Sequence, residues 1–173
     1  MCGSVWNHTL FLLRETRGKD GEMATTKSNS NIKPEKVIVL WGNGNCGKTT
    51  TIKIVIDLLK QSGGKETVLQ QGKKDVTSVI NWNGKTIGIC TVGDARTCQE
   101  QAYNLLGKNC DVYIFTSRSK GETVKFIFDN FSNTPIIWHE KWSVFKNHFT
   151  RTMPSHILDE VNEMQARKIV DLI

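Results

Sequence analysis

The chain has 173 residues, 38% of them hydrophobic and 23% charged, with a net charge of +6. That length suits one domain with a sizeable core, and no apolar run approaches the ~18–20 residues that a membrane-spanning helix needs, which excludes an integral helical membrane protein. The lysines and arginines are scattered, with no block of like charge, so nucleic acid enters only as a secondary partner, on the general attraction of basic proteins for polyanions.

Residues 1–34 read as a flexible leader outside the fold. Val5-Trp6 and Leu10-Phe11-Leu12-Leu13 form a short apolar patch, but Arg14 follows at once and no small-residue cleavage site of the signal-peptide kind comes after it. Arg17 to Asn31 is rich in Gly, Ser, Thr, Asn and Lys, a composition that buries too little apolar surface to order itself. Met23 stands within this leader as a second candidate start. Residues 35–173 then form the single folded domain. Its cysteines, with Cys2 in the leader, are five in number (Cys2, Cys46, Cys90, Cys98, Cys110) and never spaced C-x-x-C, which points to neither a zinc site nor a disulfide framework and is consistent with the cytoplasm.

The domain opens on Val37-Ile38-Val39-Leu40-Trp41, a β-branched apolar run that reads as a buried strand. Gly42-Asn43-Gly44-Asn45-Cys46-Gly47-Lys48-Thr49 follows and fits the phosphate-binding pattern G-x-x-x-x-G-K-[ST] at every fixed position. Thr50 to Lys60 then carries Ile52, Val55, Ile56 and Leu59 at helical spacing. Strand, glycine-rich turn and helix are the parts that phosphate binding requires. Glycines let the backbone fold around phosphate oxygens, the amides from Asn43 to Thr49 point inward, and the helix N-terminus adds positive potential. In that arrangement Lys48 reaches the β- and γ-phosphates and the Thr49 hydroxyl ligands Mg²⁺. Cys46 places a thiol inside the loop, so its alkylation is expected to block nucleotide binding and bound nucleotide to slow its labelling; equal labelling rates would contradict this.

The first helix is predicted to stop at Ser62-Gly63-Gly64. Glu66 to Gln71 suggests a short strand and Gln71 to Asp75 a polar turn. Val76 to Trp82 and Lys85 to Val92 flank Asn83-Gly84, the dipeptide that most favours a type I′ turn, giving one antiparallel hairpin on an otherwise parallel sheet. The second of these strands ends in Gly93-Asp94, and a carboxylate delivered there is the candidate metal-orienting acid. Arg96, two residues on, is a candidate for contact with phosphate or with charge developing in transfer, or else a solvated residue at a helix start.

Ala95 to Leu106 is predicted as a helix ended by Gly107, and Asp111 to Thr116 as a buried strand. The polar loop Ser117 to Thr123 offers Arg118 and Lys120 at a sheet edge of the kind where nucleotide pockets are built. Val124 to Phe131 reads as a helix whose Phe126, Phe128 and Phe131 pack into the core. Pro135 precedes a last strand, Ile136 to Trp138. His139 and Glu140 follow, but neighbours on an extended chain point to opposite faces and make a poor acid–base pair. Ser155 is expected to cap a final helix whose Leu158, Val161, Ile169 and Leu172 face the sheet.

This order of elements, from Lys36 to Ile173, resembles the P-loop NTPase superfamily and its small ATP-binding members. The resemblance implies a three-layer α/β fold, a mostly parallel sheet, and Mg²⁺-dependent binding and hydrolysis of a nucleoside triphosphate. On these readings together Lys48, Asp94, Arg96 and Arg118 are the candidates for catalysis, Thr49 and Asp94 for the metal, and Gly42, Asn43, Gly44, Asn45, Cys46, Gly47, Lys48, Thr49 and Thr50 for the nucleotide. The order is also similar to that of a Ras-like GTPase, but the Asn-Lys-x-Asp stretch that reads guanine there is absent from Ile137-Trp138-His139-Glu140-Lys141-Trp142, and Gly93 precedes Asp94 instead of following it in Asp-x-x-Gly. ATP is therefore expected before GTP. Two alternatives stand: a nucleoside or nucleotide kinase, on the likeness of Asp94-Ala95-Arg96 to the strand end of such enzymes, and a nucleotide-switched module that binds nucleic acid or protein. No residue stands out as positioning an attacking water, which points to slow intrinsic turnover or to help from a protein partner or a second copy.

Overall fold

The computed structural model describes residues 33–72, 75–92, 95–142 and 155–173, excluding the side chains of 95–99. Its elements run β1 (Lys36–Trp41), α1 (Lys48–Gln61), β2 (Lys65–Gln71), β3 (Val76–Trp82), β4 (Lys85–Cys90), α2 (Ala95–Leu106), β5 (Val112–Ser117), α3 (Glu122–Asn130), β6 (Ile136–Glu140) and α4 (Ser155–Val170). The six strands form one mixed, mostly parallel sheet in the order β2-β3-β4-β5-β1-β6. β1 pairs in parallel with β5 and β6, and β5 with β4.

The composition of β1 explains its place inside the sheet, between β5 and β6. Val37, Ile38, Val39 and Leu40 are all fully buried, as an apolar run between two parallel neighbours should be. Each such side chain stabilises the fold by about 1.5–3 kcal/mol relative to exposure. Successive residues point to opposite faces. Val37 and Val39 join a cluster with Ala102 and Leu105 of α2 and Phe126 and Ile127 of α3, while Ile38 and Leu40 join Ile52, Val55, Ile56 and Leu59 of α1 and Ala166 and Ile169 of α4.

The hairpin forms on its predicted turn: Asn83 and Gly84 have φ of 48° and 77°, the left-handed pair that a type I′ turn requires, and Trp82 stands opposite Lys85. It is not the sheet's single antiparallel feature, however. β2 also pairs antiparallel with β3, through a register shift between Val68 and Gln70, so the expected hairpin is part of a three-stranded meander. A polar, bulged strand with an exposed lysine start is a stable way to end a sheet.

Two other expectations change. Phe128 is exposed and rests beside Trp138, ring centroids 5.6 Å apart, because it follows Phe126 by two residues and so falls off the buried helical stripe. On α4 the buried residues are Asn162, Gln165, Ala166 and Ile169, with Leu158 exposed. Two polar side chains thus occupy the inward face, Asn162 against α1 and Gln165 against the end of β6.

Because β1, β4, β5 and β6 are parallel, their C-terminal ends share one edge. β3 runs the other way, so its first residues return to that same edge. The loop after β1, the end of β6 and the start of β3 are thereby gathered together.

Candidate functional site

The loop leaves β1 at Gly42, whose amide donates to the Ser117 carbonyl at 3.2 Å. The chain then turns through Asn45 at φ 57°, a left-handed conformation that asparagine tolerates better than most residues, and enters α1 through Gly47. Gly47 is the N-cap, with φ 91° and ψ 14°, and no side chain caps the helix. The first amide to bond back into the helix start is Thr51, to the Gly47 carbonyl at 3.0 Å. The preceding amides of the first turn have no intrahelical acceptor, and the first turn holds no acidic residue. An uncapped helix start of this kind favours an anion.

Lys48 folds back across the loop: its ammonium donates to the carbonyls of Gly42 at 2.9 Å and Asn43 at 2.6 Å, and lies 3.7 Å from Cys46 Sγ. The positive charge is thus held at the mouth of the turn by neutral acceptors, and among the described residues no carboxylate competes with phosphate for it.

Beneath the loop lies a residue that the sequence did not single out. Lys141, just past β6, is 5% exposed, and its amide donates to the Trp41 carbonyl at 2.7 Å. A Cβ on Gly42 would stand 3.2 Å from the Lys141 Cβ and 3.2 Å from Cys46 Sγ, so glycine at 42 is what allows this side chain to pass. The Lys141 ammonium donates to the Trp142 carbonyl at 2.7 Å, and among the described residues no carboxylate pairs with it. Burial lowers its pKa, partly offset by the neighbouring Cys46. A buried cation without an anion is costly, which marks the underside of the loop as a place of positive potential.

The polar residues of α4 complete the frame. Thr51 Oγ1 lies 3.1 Å from Asn162 Oδ1. Gln165 donates to the Glu140 carbonyl at 2.6 Å and accepts from the Trp142 amide at 3.1 Å. α4 therefore clamps both α1 and the β6 end, which is why Asn162 and Gln165 share its inward face with Ala166 and the expected Ile169.

Thr49 meets a carboxylate that the sequence did not single out. Its hydroxyl donates to Asp75 Oδ1 at 3.4 Å, and Thr91 Oγ1 donates to the same oxygen at 3.4 Å. Thr91 is in turn fixed by the Val76 amide at 2.8 Å. In the sequence Asp75 reads only as the end of a polar turn. The signal that finds it is the hairpin itself, since the start of β3 must lie beside the end of β4.

Asp94 lies outside the described residues. Arg96 falls in the first turn of α2, with its side chain also outside them. β4, the strand leading to Asp94, is not a neighbour of β1, because β5 lies between them. Arg118 follows Ser117, the β5 residue opposite Trp41, and is exposed with Lys120. It lines an open groove of about 320 Å³ with Trp41, Ser119, Val124, Phe128 and Trp138. His139 sits on β6 with Nε2 buried and without a hydrogen-bond partner among the described residues; desolvation lowers its pKa, helped by Lys168 and Lys141. Among the described residues no three His, Cys, Asp or Glu gather as a metal cluster. A hydroxyl beside one carboxylate nevertheless suits a hard cation that takes its remaining ligands from phosphate and water.

Comparison with known proteins adds one local likeness. The chain is 35% identical over 75 residues to the Spermidine/putrescine import ATP-binding protein PotA of Mesoplasma florum, a match covering 43% of this chain and 21% of that protein. The chain thus spans about a fifth of the relative's length. No protein-family model matches, and no solved structure does. The likeness suggests a P-loop NTPase and supports nucleotide binding in general. No helix among the described residues is long and apolar enough to cross a membrane.

Proposed function

We propose that residues 35–173 form a three-layer P-loop domain that binds Mg·ATP and hydrolyses it in the cytoplasm. The observation that carries this reading is the uncapped start of α1, where Gly47, Lys48 and Thr49 present a left-handed turn, an ammonium and a hydroxyl at one sheet edge. ATP is preferred because the relative is an ATP-binding protein and the guanine-reading motif is absent. The loop amides and Lys48 hold the β- and γ-phosphates, Lys141 adds charge from below, and Arg96 or Arg118 meets the charge that develops in transfer. Thr49, with Asp94 or Asp75 as its carboxylate, would hold a Mg²⁺, which would supply charge neutralisation at the β- and γ-phosphates.

A ligand at about 100 times its Kd stabilises a fold by ~2.7 kcal/mol, so Mg·ATP is expected to raise the melting temperature. A melt unmoved by Mg·ATP, Mg·GTP, Mg·CTP and Mg·UTP refutes nucleotide binding. Product analysis then separates the readings. Free phosphate without an added acceptor supports hydrolysis; phosphate on an added nucleoside favours a kinase, for which the Arg118 groove beginning at Trp41 is the acceptor site.

A further inference from the structure

We propose that Asp75 is the carboxylate that positions the divalent cation at Thr49, a role that rests on the nucleotide-binding reading above.

Asp75 is separated from Thr49 by 26 residues and reaches it by topology. The Asn83-Gly84 turn folds β3 back along β4, with Thr77 opposite Cys90, so the residue before β3 is returned to the edge where β4 ends and α1 begins. Gly72 donates its amide to the Asp75 carbonyl at 2.8 Å, which closes the turn from β2 and fixes the backbone. Thr91 is 1% exposed. Its amide donates to the Val76 carbonyl at 3.0 Å, and its hydroxyl accepts from the Val76 amide and touches Asp75. The carboxylate therefore lies between a buried threonine on the β4 side and the helix start on the other.

The contact is somewhat longer than the spacing a shared cation imposes. A hydroxyl that donates to a carboxylate does so best at about 2.5–2.7 Å, and both contacts to Asp75 Oδ1 are 3.4 Å, so these are weak hydrogen bonds. Neighbouring oxygens on an octahedral Mg²⁺ with ligands at about 2.1 Å lie about 3 Å apart. Thr49 Oγ1 and Asp75 Oδ1 are thus within about half an ångström of that spacing. Exchanging the Thr49 hydrogen bond for a shared cation loses little, and Asp75 takes a position on the ion directly or through one of its waters. Among the described residues Asp75 has no ion pair that would have to break.

The test compares affinity for a fluorescent ATP analogue with and without Mg²⁺ in the full chain, for the parent, Asp75→Asn and Asp94→Asn. The parent is expected to bind at least tenfold more tightly with Mg²⁺, and in Asp75→Asn that ratio falls to within about twofold of one. Asp75→Asn with the parental ratio overturns the proposal, decisively so if Asp94→Asn alone loses it. Parental protein that binds the analogue in neither condition overturns the nucleotide reading as well; parental binding with an unaltered Asp75→Asn ratio overturns only the role of Asp75. If Asp75→Asn fails to fold, Asp75→Glu decides, because it keeps the charge but moves it by one methylene: a reduced ratio supports the proposal and an unchanged ratio overturns it.

Discussion

Gly47→Ala isolates the backbone contribution of the loop. A Cβ at position 47 would find Asn162 Oδ1 at 3.5 Å and Lys141 Cε at 3.6 Å, both ordinary van der Waals contacts, so the substitution introduces no clash. What it introduces is a side chain at φ 91°, and a left-handed conformation costs a residue with a Cβ roughly 1–2 kcal/mol. If the loop keeps its shape without nucleotide, that cost falls on folding, and the melting temperature drops by about 2–8 °C for a chain of this size. If the loop relaxes instead, folding is spared and the cost is met on binding, where 1–2 kcal/mol weakens affinity about 5–30-fold. Either way the two penalties together amount to about 1–2 kcal/mol. Gly44→Ala is the matched control, because nothing lies within 4 Å of its added Cβ and Gly44 is not at positive φ; it should stay within about 0.5 kcal/mol of the parent. Thermal melts and nucleotide titrations of both variants measure the sum. Parental stability and affinity in Gly47→Ala, or equal losses in the two variants, would refute the reasoning.

Lys141→Met keeps the stem that runs under Gly42 and removes the buried charge. Removing it should stabilise the nucleotide-free fold by on the order of 1 kcal/mol, yet weaken nucleotide binding about tenfold, as expected for a unit charge roughly 10 Å from a phosphate at an effective dielectric of about 20. Lower stability with unchanged affinity would reduce Lys141 to packing. His139 predicts a pH effect. Its pKa is lowered in the fold, so below about pH 6.5, the ordinary histidine value, the unfolded chain binds the proton that the folded one refuses. Stability therefore falls as pH drops through 6.5 toward the lowered folded pKa, and His139→Gln should flatten that decline in melts taken from pH 8 to pH 5. The same slope in the variant and the parent would assign it to other groups.

The elements, the loop and the turn of this protein are legible in its sequence because each depends on neighbours only a few residues apart. Val37 to Leu40 are buried on both faces, Asn83 and Gly84 adopt their left-handed turn, and Lys48 and Thr49 open a helix, all from local period and turn chemistry. Which strands are neighbours is a different matter. That β5 separates β1 from β4 depends on pairings between distant segments, which no local pattern encodes. The same holds for Lys141 beneath Gly42, for Asn162 against Thr51, and for Asp75 beside Thr49. Each is a polar residue unremarkable among its sequence neighbours, and acquires its place only when the parallel strands end, and the antiparallel one begins, at the edge where the loop lies.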